Sequence, residues 1–98
     1  MKILDFIPVG AKNALTASEL AQLLGVKHQR EITRAIERER LAGAPICASC
    51  EAGRQGYFLA AHADEMERFI RSLTRRVANV TGTLEACEGT LNRMQEEK

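Results

Sequence analysis

The chain has 98 residues, enough for one small domain with an appendage and too few for a large enzyme fold. Hydrophobic residues make up 45% and charged residues 28%, an ordinary globular balance that excludes wholesale disorder. Its 14 basic and 13 acidic side chains leave a net charge of +1, so attraction to nucleic acid depends on where charge sits, not on the total.

Aromatic residues are only 4% and Trp is absent, so the core is expected to come from Leu, Ile, Val and Ala, which suit short packed helices. The three cysteines are an odd number, and the start, MKILDFIPVG, lacks the apolar core of a secretion signal. Both predict a reducing, cytoplasmic location. No apolar stretch approaches the roughly 20 residues that a bilayer span requires.

Ile3, Leu4, Phe6 and Ile7 form an apolar patch ahead of Pro8, which predicts a short first helix over residues 2–7. Thr16 and Glu19 have capping-box spacing, Leu20, Leu23 and Leu24 follow at helical intervals, and Gly25 suits a left-handed cap. These predict a helix over Ala17–Leu24. A second periodic run, a few residues after Gly25 and closed by Gly43, places Ile32, Ala35 and Ile36 on one face and Arg30, Thr33, Arg34, Glu37 and Arg38 on others, predicting a second helix. Glu39 falls on the apolar stripe, where the expected partner is Arg40 or a neighbouring arginine.

After Gly43 the period becomes extended. Pro45-Ile46-Cys47-Ala48 and Gly56-Tyr57-Phe58-Leu59 predict a β-hairpin with its turn in residues 50–55, and Ala14 and Leu15 could add a short third strand. From Ala63 onward Asp64, Glu65 and Glu67 crowd a first helical turn, where negative charge complements the dipole. Apolar residues then recur as heptads: Ile70, Val77, Leu84 and Leu91 alternate with Met66, Leu73, Val80, Cys87 and Met94. At about 1.5 Å per residue this helix extends roughly 50 Å, more than a small domain can cover. The seam therefore predicts a partner helix and a homodimer, parallel or antiparallel. The alternative for its first turns is that Met66, Phe69, Ile70 and Leu73 fold back onto their own domain. Gly82 and Gly89 fall on the outer face, each costing about 1 kcal/mol against Ala, so the helix is expected to depend on its partner.

The order helix, capped helix, second helix, hairpin is carried by Leu15-Thr-Ala-Ser-Glu-Leu-Ala-Gln-Leu-Leu-Gly25, by Glu31-Ile-Thr-Arg-Ala-Ile-Glu37, and by Gly43-Ala-Pro-Ile with Gly56-Tyr-Phe-Leu59. It resembles the winged helix-turn-helix DNA-binding domain over residues 1–61. It is similar to the N-terminal domain of biotin-operon repressors and to small winged-helix proteins of phages and prophages. The resemblance implies an α+β, mostly helical fold: three helices and a β-hairpin wing, followed in residues 62–98 by a long coiled-coil helix. It also implies a duplex-DNA partner and a role in transcription regulation, replication or packaging. The resemblance sets the second helix, as recognition helix, at about residues 28–42. On this reading Gln29, Arg30, Thr33 and Arg34 face bases, since Arg donates a bidentate pair to guanine and Gln both donates to and accepts from adenine. Lys12, Lys27 and Arg38 are expected at phosphates, with Arg54 and Gln55 at the wing tip.

Other readings compete. Lys27, Arg30, Arg34, Arg38 and Arg40 are offset by Glu31, Glu37 and Glu39, an excess of only +2, and such residues can neutralise one another as a solvated face. The helix-turn-helix would then be a scaffold and the long helix the recruiting element of an assembly adaptor. Cys47-Ala-Ser-Cys50 is a CxxC, but a structural zinc site wants four ligands, and Cys87, His28 and His62 are scattered. Cys47 or Cys50 is expected to be a small buried apolar residue, and His28 and His62 capping or surface residues. No cofactor is expected, and no catalytic motif is present, which argues against an enzyme.

Overall fold

The structure, a computed structural model, describes residues 2–51 and 54–96, with the side chains of residues 50, 51 and 54 outside that description. Two 3-10 turns, Ile3–Phe6 and Ala11–Asn13, precede helices α1 (Ala17–Leu24) and α2 (Gln29–Leu41), strands β1 (Ile46–Glu51) and β2 (Arg54–Leu59), and helix α3 (Ala63–Glu96). The architecture is α+β and mostly helical.

The helix expected over residues 2–7 is instead a single four-residue 3-10 turn. Ile7 already has extended backbone, φ −93° and ψ 126°, because the ring of Pro8 disfavours helical geometry in the residue before it. Helix α1 forms as its caps dictate. The Thr16 hydroxyl accepts from the Glu19 amide at 3.1 Å, the Glu19 carboxylate accepts from the Thr16 amide at 2.9 Å, and Gly25 closes the helix at φ 70°.

Ile32 and Ile36 of α2 enter a core with Ile3, Ile7, Leu20, Ala21 and Ile46. Among the described residues Glu39 reaches that stripe with backbone amides, and not an arginine, as its partners. Its two carboxylate oxygens accept from the Ile3 amide at 2.7 Å and the Leu4 amide at 2.9 Å. First-turn amides have no partner within their own turn, so an acid on an apolar stripe becomes the cap of a distant segment.

Strands β1 and β2 pair antiparallel from Ile46↔Leu59 to Glu51↔Arg54, closer to the tip than the expected turn. The possible third strand is only a bridge: the Leu15 amide donates to the Tyr57 carbonyl at 3.0 Å and the Tyr57 amide donates back at 2.7 Å. Glycine is required beside it, because a Cβ on Gly56 would lie 2.4 Å from the Leu15 carbonyl carbon and its φ is +136°.

Helix α3 has 34 residues and lays its first turns across the hairpin. Phe69 is buried with Ala14, Cys47 and Phe58, flanked by half-buried Met66 and Leu73. The remaining turns carry the molecule's longest dimension to 56 Å. Among the described residues no helix is long and apolar enough to cross a membrane.

Candidate nucleic-acid interface

Burial of Ile32 and Ile36 determines what α2 presents on its other side. Gln29, Arg30, Thr33 and Arg34 are all exposed there, together with Glu31, Glu37 and Arg38. The Thr33 hydroxyl donates to the Arg30 carbonyl at 3.0 Å, which occupies its proton and leaves its lone pairs and methyl group outward. His28 stands at the N-cap but its side chain makes no capping hydrogen bond, so of its two expected roles it has the surface one. Lys27 is exposed in the turn before α2, and Lys12 is exposed on the second 3-10 turn. Gln55 is exposed near the hairpin end, whereas the Arg54 side chain lies outside the described residues.

One residue that sequence reasoning counted as a charge and as a partner for Glu39 fixes this surface to the rest of the fold. Arg40, in the last turn of α2, donates through Nε to the Ile46 carbonyl at 2.9 Å. Its guanidinium lies 4.8 Å from the centre of the Phe69 ring and 5.8 Å from that of Tyr57. Burial holds this guanidinium below its usual pKa, and its buried Nη2 has no hydrogen-bond partner among the described residues. Helix α2, the hairpin and α3 therefore meet at one side chain. A basic residue in the last turn of a helix was the only signal for it in the sequence.

Cys47 is wholly buried, as expected for a small apolar residue, and burial pushes its thiol pKa up. The Cys50 side chain lies outside the described residues.

The heptad seam divides in two. Met66 and Leu73 face the hairpin with Phe69, because the first turns of α3 lie across it, so these two expected interface positions pack on their own domain. Ile70, although offered for the same fold-back, is 51% exposed. From there Val77, Val80, Leu84, Leu91 and Met94 stay exposed, as does Cys87.

Beside the packed face, α3 and the hairpin enclose an open groove of about 290 Å³ whose polar lining includes Ser49, Glu65, Arg68, Ser72 and Arg75. Both Glu65 oxygens are engaged, accepting from the Ala61 amide at 2.7 Å and the Ala11 amide at 3.1 Å. The groove joins residues of distant segments and had no sequence signature. Comparison with protein-family models, curated proteins and solved structures found no significant match to this chain.

Proposed function

We propose that the chain is a non-enzymatic, cytoplasmic, dimeric duplex-DNA-binding protein of the winged helix-turn-helix class. Helix α2 is its recognition helix, the hairpin its wing, and α3 its dimerising coiled coil. The observation that carries the reading is the exposed row Gln29, Arg30, Thr33 and Arg34 on a helix whose opposite face is anchored in the core by Ile32 and Ile36. A helix held in this way offers planar donors and an amide to base edges, while Lys12, Lys27, Arg38, Arg54 and Gln55 serve as backbone contacts. Dimerisation through the exposed seam would set the spacing of two half-sites and multiply the phosphate contacts of a weakly basic module. Transcription control, or another DNA transaction of phage or prophage type, follows from the resemblance of residues 1–61.

Titration of the whole protein into a labelled random duplex, at about 50 and about 200 mM salt, tests the class, because phosphate neutralisation makes affinity fall steeply with salt. Micromolar binding that weakens at least tenfold supports it. Absence of binding at the lower salt overturns it.

A second reading is an assembly adaptor that recruits a protein through α3. The mixed charge of the α2 surface, where Glu31 and Glu37 stand among the arginines, favours that alternative. Light scattering separates the self-associating protein from a monomer whose seam awaits a different chain.

A further inference from the structure

The net charge of +1 conceals a marked division along the chain. From Arg68 to Leu84 there are four arginines, Arg68, Arg71, Arg75 and Arg76, and no carboxylate, so this stretch carries +4 and the remainder −3. That excess is twice the +2 of the recognition segment. The cations are also not spread evenly around α3. Arg68 and Arg75 are seven residues apart at the outer heptad position, Arg71 stands beside them, and all three are exposed. A partner helix on the seam would therefore leave this face open.

The geometry points to a second phosphate-binding surface on α3, built from Arg68, Arg71 and Arg75 with Ser49 and Ser72, that takes the sugar-phosphate backbone of duplex DNA. It rests on the reading of the chain as a duplex-DNA-binding protein, and not on which helix reads the bases. The groove brings Arg68, Ser72 and Arg75 beside Ser49 of β1. Ser49 pairs with Gly56, only two register positions from the last pair of the hairpin, Glu51↔Arg54. Helix α3 thus climbs the hairpin from its base, where Glu65 holds Ala61 and Ala11, toward its tip. A backbone held beside Ser49 would therefore lie against the arginine face. Glu65 is the one carboxylate among the groove's lining residues, and its oxygens are turned to the Ala61 and Ala11 amides, so the three guanidiniums of Arg68, Arg71 and Arg75 outweigh a single negative charge. The occupant is a polyanion by charge complementarity, and its spread over Arg68 to Arg75 suits a run of phosphates better than a single small anion.

The test compares the full chain with the triple variant R68Q/R71Q/R75Q, the charge-preserving triple R68K/R71K/R75K and the α2 double variant R30A/R34A. Each is titrated into the labelled random duplex across a salt series, with circular dichroism melts verifying the fold. Neutralising three phosphate contacts in each protomer should weaken binding at least tenfold at about 100 mM salt and lower the log-log salt slope by about 2 to 3 per protomer bound, whereas the lysine triple should keep both near wild type. A folded glutamine triple with unchanged affinity and slope overturns the α3 surface, and the α2 reading survives if R30A/R34A still weakens binding at least tenfold. The reverse pattern, with R30A/R34A binding normally and the glutamine triple losing affinity, upholds the α3 surface and overturns α2 as reader. No binding by the wild type overturns both.

Discussion

The guanidinium of Arg40 lies 4.8 Å from the centre of the Phe69 ring, so the last turn of α2 and the second turn of α3 share one contact. Phe69 is also the most deeply buried residue of α3. Phe69→Ala removes a buried ring and the face under Arg40, and should destabilise the protein by about 3 kcal/mol or more. Phe69→Leu, which retains most of the volume, should cost clearly less. Urea unfolding of both variants checks the order.

Glu39 offers a second long-range dependence. Glu39→Ala leaves the Ile3 and Leu4 amides without their acceptors and should cost about 1 to 3 kcal/mol. Glu39→Gln keeps one acceptor oxygen and should fall between the two. Amide hydrogen exchange should accelerate first at Ile3 and Leu4, ahead of the amides of α1.

Glu65 makes stability depend on pH in a defined direction. The Ala61 amide holds its carboxyl below the ordinary carboxylate pKa, outweighing the opposing effect of burial, and the Ala11 amide adds a smaller push in the same direction as Ala61. A depressed folded pKa means that its contribution is present above the unfolded value of about 4.3 and is lost as pH falls through the folded value. The difference in urea midpoint between wild type and Glu65→Gln should be largest near neutrality and shrink in acid. A constant difference would show that the carboxylate charge is not involved.

Two glycines should respond oppositely to alanine. Gly56→Ala puts a Cβ into the Leu15 backbone at positive φ and should destabilise by about 2 kcal/mol or more. Gly82→Ala, inside α3 with nothing within 4 Å of the new Cβ, should stabilise the helix by up to about 1 kcal/mol. Thermal melts monitored by circular dichroism check both signs.

What the sequence made legible was local. Thr16, Glu19 and Gly25 delimit α1 through contacts within a few residues, and the acidic turn at Asp64 and Glu65 marks the start of α3. The recognition-helix candidates follow from the periodicity of Ile32 and Ile36, and all four are on the exposed surface. What was not legible lay across the chain. Glu39 finds its partners 35 and 36 residues away, and Arg40 finds Phe69 in the next helix. The heptad pattern is uniform from Met66 to Met94, so periodicity alone could not tell that Met66 and Leu73 pack on the hairpin while Val77 to Met94 do not. The first helix shrank to a 3-10 turn because Pro8 acts one residue before its own position.

The central claim is that α2 reads duplex DNA, and the double variant R30A/R34A tests it most directly when assayed for binding and for self-association together. The account predicts that duplex binding weakens at least tenfold while light scattering still returns the wild-type oligomer. Unchanged binding by a folded double variant would contradict it.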